Sequence, residues 1–117
     1  MDIRERTVGS VIILDLEGKL ISGDGNALLK DKVNSVLFQG QRNILLNLGG
    51  VSYVDSSGLG EIVASYTAVA KQSGQIKLLN LTKRVQDLLA ITKLLTVFDT
   101  YDSEAEAVKS FPPTTSA

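Results

Sequence analysis

The sequence predicts a single α/β domain: an open mixed sheet of four to five strands, parallel at its centre, with about four helices. Short β-branched or continuously apolar runs alternate with segments whose apolar residues recur every three or four positions. The first two strand-like runs are separated only by Gly9-Ser10, a tight turn that makes antiparallel neighbours. Later runs are separated by helix-length segments, which make parallel crossovers. A chain of 117 residues, 44% apolar and 21% charged, fits one hydrophobic core.

Residues 4–8 are expected to pair with Val11-Ile12-Ile13-Leu14-Asp15-Leu16, a strand that ends in a turn at Glu17-Gly18. Residues 21–26 read as a loop, in which Asp24 or Asn26 caps the following helix. In that helix Leu29, Val33, Val36 and Leu37 form one apolar stripe, and the helix stops near Gly40. Asn43-Ile44-Leu45-Leu46-Asn47-Leu48 has the near-continuous apolarity of a central strand covered on both faces. Gly49-Gly50 is expected to break it before Val51-Ser52-Tyr53-Val54 leads to Asp55.

From Ser57 onward Leu59, Ile62, Val63, Tyr66, Val69 and Ala70 share a helical face, and Gly74 reads as the left-handed stop. Gln75–Leu79 is a strand, and residues 82–92 form a helix with Val85, Leu88 and Leu89 inward. The pair Lys83-Arg84 reads as a solvated helix start, Tyr53 and Tyr66 as core or rim aromatics, and Leu94-Leu95 as a contact closing the core. Residues 97–101 are the last short strand. Ser103 caps a final helix whose Glu104 and Glu106 suit the positive end of the helix dipole. Phe111-Pro112-Pro113 stops it, so the domain is expected to span 1–111, with 112–117 a disordered tail.

Composition removes whole classes of chemistry. With no cysteine and no histidine there is no disulfide, no Cys or His zinc site, no thiol nucleophile and no Ser-His pair. A serine nucleophile would need a lysine or carboxylate base, and no such pairing stands near Ser56, so no enzyme is expected. A net charge of −1 gives no general attraction to nucleic acid or anionic membrane. The charged start, Met1-Asp2-Ile3-Arg4-Glu5-Arg6, is no signal peptide, and no apolar run nears the ~18 residues that span a bilayer. The expectation is a cytoplasmic protein. No Gly-Lys-Ser/Thr loop is present, and Gly23-Asp24-Gly25-Asn26 lacks the alternating acids of a calcium loop, so neither cofactor nor metal is expected.

The informative stretch is Val54-Asp55-Ser56-Ser57-Gly58-Leu59-Gly60-Glu61, where a buried strand turns into a helix. Asp-Ser-Ser is first of all an ordinary helix cap. The first helical N–H groups also lack intrahelical partners, and the helix start carries partial positive charge, so a phosphate is tolerated there. Gly58 and Gly60 are expected to leave the backbone open to another surface. Glu61, read as a first-turn acid beside Asp55, disfavours capture of a free phosphate and suits a covalent switch instead.

Asp55-Ser56-Ser57-Gly58-Leu59-Gly60, after a strand and before an amphipathic helix, resembles the hallmark of anti-sigma factor antagonists (anti-anti-sigma factors) of the STAS family. Ser73-Gly74-Gln75-Ile76-Lys77-Leu78 and Arg84-Val85-Gln86-Asp87-Leu88-Leu89 resemble that family's later strand and helix, so the likeness covers about residues 8–111. The resemblance implies a STAS fold and a partner-switching phosphoprotein that regulates sigma-factor-dependent transcription. Unphosphorylated, such a protein binds an anti-sigma factor that is also a serine kinase; phosphorylated, it lets go, and a serine phosphatase resets it. Carried over, Ser56 is the phosphate acceptor, and Asp55, Ser56, Ser57, Gly58, Leu59 and Gly60 belong to the docking surface. Gly18-Lys19-Leu20-Ile21 stands where the family commonly has Gly-Glu-Leu-Asp. Asp24 is the acid expected to take over, in a loop bordering Ser56. The alternative is a STAS scaffold subunit of a signalling or transport complex that binds without switching.

Overall fold

The β-branched N-terminal runs pair as a hairpin. Strand β1 (Asp2–Val8) lies antiparallel to β2 (Val11–Leu20), from Val8 opposite Val11 to Asp2 opposite Glu17. Gly9, with φ of 59°, makes the turn. The computed structural model describes residues 1–112. The side chain of Asp24 and residues 113–117, which hold most of the expected tail, lie outside the described residues. After the hairpin come α1 (Asp24–Phe38), β3 (Asn43–Val54), α2 (Ser56–Lys71), β4 (Gln75–Leu79), α3 (Lys83–Ile91), β5 (Thr100–Tyr101) and α4 (Glu104–Ser110). The five strands lie in chain order, and every pair after the first is parallel. The expected mixed sheet of four to five strands with about four helices is observed, with five strands and four helices among the described residues.

Strand alternation divides the core in two. Ile12, Leu14 and Leu16 of β2 and Ile44, Leu46 and Leu48 of β3 pack with Leu29, Val33 and Val36 of α1, Ile62 and Val69 of α2, and Val85 and Leu89 of α3. Their neighbours Val11, Ile13, Leu45 and Leu79 form a smaller cluster with Ala107 of α4 and Phe111. Three helices thus cover one face, and the short α4 covers the other. Polar ties fasten α4. Arg6 bridges Asp15 at 2.7 Å and Glu104, while the buried Lys77 donates to the carbonyl and hydroxyl oxygens of Ser110, both at 3.0 Å.

Several expectations are corrected, for connected reasons. Glu17-Gly18 does not end β2. The strand bulges there, with register shifts at Asp15/Glu17 and Gly18/Lys19, and continues to Leu20. Gly49-Gly50 does not break β3, which runs unbroken to Val54. A Cβ on Gly50 would lie 2.8 Å from the Leu16 carbonyl oxygen, so glycine there permits close backbone approach. Neither Asp24 nor Asn26 caps α1: its cap is Gly23, without a side-chain hydrogen bond. The left-handed residue after α2 is Ser73, φ 61°, rather than Gly74. Gly74 is small because a Cβ would come within 2.5 Å of the Arg42 carbonyl oxygen. Strand β5 is confined to Thr100–Tyr101, and Phe98 is buried before it.

Candidate functional site

Strand β3, whose last residue Val54 is buried, delivers the chain to an extended Asp55 that caps α2. The Asp55 carboxylate accepts from the Gly58 amide at 2.7 Å through Oδ1 and from the Ser22 amide at 3.3 Å through Oδ2. Its own amide donates to the Leu20 carbonyl at 3.3 Å. One residue thereby ties the end of β2, the loop before α1 and the first turn of α2. The expected neighbourhood of this segment and the Ser56 corner is observed through Ser22, but residues 24–26, expected as loop, are the start of α1. Asp24 is the first residue of α1 on that edge.

Ser56 and Ser57, the first two residues of α2, are exposed. Their N–H groups precede the first intrahelical bonds, so they face outward at the positive end of a 16-residue helix. Gly60 is open, with nothing within 4 Å of an added Cβ. Gly58 and Leu59 turn inward. A Cβ on Gly58 would lie 2.0 Å from the Leu20 carbonyl oxygen, and Leu59 is only 6% exposed in the core. Gly58 therefore seats α2 on β2; it does not leave the backbone open as the sequence suggested.

Glu61 is also displaced from its expected place. No acid lies in the first turn of α2; Glu61 follows in the second, in a crevice with Lys30, Val33, Asn34, Ser65 and neighbouring alanines. Partial burial raises its pKa, and the charge of Lys30 opposes that rise. The negative charge beside Ser56 in the first turn is thus that of the capping Asp55, already engaged by two amides.

A second feature escaped the sequence. The end of β3 and the outer side of α3 form a groove of about 450 Å³ lined by Tyr53, Val54, Lys83, Arg84, Asp87, Leu88 and Ile91. Tyr53 is 42% exposed and Ile91 79%. The Arg84 guanidinium lies 5.2 Å from the centre of the Tyr53 ring. Lys83 is solvated as expected, at 88% exposure, and reaches Asp87 at 3.5 Å. Two signals were present in the sequence: Ile91 falls off the Val85/Leu89 stripe, and two cations occupy a helix start that favours acids. Tyr66, by contrast, is the rim aromatic expected, edge-on to Phe98 at 5.2 Å.

The sequence model of the STAS domain matches residues 2–107. The chain belongs to the STAS family. It is 39% identical over 72 residues to an anti-sigma-B factor antagonist of Bacillus subtilis, a match covering 62% of this chain and 65% of that relative, just under two thirds of its length. It is 26% identical over 98 residues to an anti-sigma F factor antagonist of Paenibacillus polymyxa, covering 84% of each. Among solved structures it is similar to a candidate anti-sigma factor antagonist of Thermotoga maritima, with TM-score 0.85, 26% identity and 93% of each chain covered. Among the described residues no helix is long and apolar enough to cross a membrane.

Proposed function

We propose that this STAS chain is an anti-sigma factor antagonist switched by phosphorylation of Ser56. In the cytoplasm the unphosphorylated form docks on an anti-sigma factor that is also a serine kinase, freeing a sigma factor for transcription. In the transfer step the Ser56 Oγ attacks the γ-phosphorus of ATP, the bond to the ADP oxygen breaks, and the hydroxyl proton passes to a base of the kinase. A serine phosphatase hydrolyses the ester to serine and inorganic phosphate. The docking surface comprises Asp24, Asp55, Ser56, Ser57, Gly58, Leu59 and Gly60, with Gly58 and Leu59 shaping it from beneath. The observation that carries this reading is the exposed Ser56 at the mouth of α2, next to an Asp55 that holds the corner rigid. The names of the Bacillus and Paenibacillus relatives support the same role.

Phosphorylation adds about −1.5 to −2 charge at a helix start, where the dipole and free N–H groups favour it. The fold is therefore retained and the cost falls on docking, since a dianion pressed against a matched surface must shed its water. A hundredfold loss of affinity needs only about 2.7 kcal/mol. The test is to incubate the chain with ATP and the purified anti-sigma factor kinase of the same genome and map the phosphate by mass spectrometry. Label on Ser56, absent from Ser56→Ala, supports the switch. A stable complex that carries no phosphate after prolonged incubation contradicts it and favours a non-switching scaffold.

A further inference from the structure

Extending the docking proposed above, which it presupposes, we infer that the groove between the end of β3 and α3 receives a partner segment presenting a carboxylate beside an apolar side chain. The groove is continuous with the Ser56 corner, since Val54 lines it and lies two residues before Ser56. At about 450 Å³ it has room for a few side chains.

Four of its seven lining residues, Tyr53, Val54, Leu88 and Ile91, are apolar or aromatic, and the other three are charged. Tyr53 and Leu88 form the walls, and Ile91 stands 79% exposed on the last turn of α3 with no role in the core. An isolated exposed isoleucine is unremarkable. One that shares a groove with an exposed tyrosine and adjoins a polar corner is a place where an apolar side chain gains by leaving water.

The charge pattern selects the rest of the occupant. Lys83 and Arg84 sit in the first turn of α3, which carries no acid, so two cations add to the positive end of the helix. Lys83 is answered by Asp87, but among the described residues Arg84 forms no ion pair. The cation–π contact with Tyr53 uses the face of the guanidinium and leaves its N–H groups available for a bidentate carboxylate. Lys19, exposed and paired with Tyr53 in the β2–β3 register, is a further cation one strand away from the groove. Two cations at this helix start oppose the helix dipole, and their only returns to the fold among the described residues are the exposed Lys83–Asp87 pair and the Arg84–Tyr53 contact. A local preference broken for so small a structural return fits a recognition surface.

The experiment titrates the full, unphosphorylated chain with the purified anti-sigma factor kinase of the same genome, without ATP, by calorimetry. The chains compared are the wild type, Arg84→Glu, Arg84→Gln, Ile91→Ser and Ser56→Asp. Arg84 and Ile91 are surface residues, and an unchanged Tm confirms that each variant is folded. The expected result is a loss of roughly tenfold or more for Arg84→Glu and for Ile91→Ser. Wild-type affinity should fall as salt is raised, and Arg84→Gln should fall less steeply. If Ser56→Asp releases the partner while the Arg84 and Ile91 variants bind like wild type, the groove inference is overturned and the Ser56 reading stands. If the wild type does not bind at all, both fall. If the free chain sediments as a dimer that Ile91→Ser dissociates, the occupant is a second copy and the inference is wrong.

Discussion

Gly58 sits so tightly on Leu20 that a Cβ there would come within 2.0 Å of the Leu20 carbonyl oxygen. The first turn of α2 is therefore pressed onto the end of β2, and Ser56 stands beside a packed backbone contact. Gly58→Ala should lower stability by about 1–3 kcal/mol, the usual cost of forcing atoms into a filled site. Gly60, one turn position away with open space around it, should respond oppositely: Gly60→Ala gains up to about 1 kcal/mol of helix propensity. Urea unfolding of both variants checks the contrast. Equal effects would mean that the Gly58–Leu20 contact is absent in solution.

Asp55 caps α2 and holds the Ser22 amide with the same carboxylate. Asp55→Ala should cost about 1 kcal/mol for the cap. It should also speed hydrogen exchange at both Gly58 and Ser22, whereas a simple cap would affect Gly58 alone. Exchange measured amide by amide separates the two.

Acid should loosen α4 before it unfolds the sheet. Hydrogen bonds from Arg6 hold both the Asp15 and Glu104 carboxyls below their ordinary range. Groups depressed in the folded state stabilise it fully above their unfolded pKa values and lose that stabilisation as pH falls through the folded ones. The effect should thus emerge below about pH 4.5 and be modest, about 1 kcal/mol or less, because Arg6 and Glu104 are partly exposed. Arg6→Gln should flatten the acid limb of the Tm–pH curve. Glu61 works in the other direction: its pKa is raised by burial, so it favours the folded state at low pH, and Glu61→Gln should remove that small opposing slope.

Lys77 is buried beneath α4, with its ammonium satisfied by Ser110 and lying 4.9 Å from the centre of the Phe111 ring. Lys77→Ala should cost about 2–4 kcal/mol through lost packing and the unpaired Ser110 carbonyl. Exchange of α4 amides should rise more than exchange of α2 amides, and uniform loss across the chain would contradict a local latch.

Most of the fold was legible because apolar spacing reports which side of an element is buried. The near-continuous apolar run Val11 to Leu16 and the Leu29/Val33/Val36 stripe needed no knowledge of their partners. Glycines were misread where their reason is tertiary. Gly18, Gly50 and Gly74 look like turn or stop residues in the chain and Gly58 like an opening to another surface, yet each answers to a bulge or to a neighbour's backbone that only the folded sheet brings near. The Ser56 corner was readable because cap and helix lie within one short stretch. The Tyr53–Arg84–Ile91 groove was not, because its two walls come from elements far apart in sequence.

The most direct measurement compares partner affinity of the chain before and after stoichiometric phosphorylation at Ser56, with circular dichroism recorded on both forms. The account predicts a fall of about a hundredfold or more while the spectrum and Tm stay nearly unchanged. Undiminished affinity in the phosphorylated chain, or a release that accompanies unfolding of α2, would contradict it.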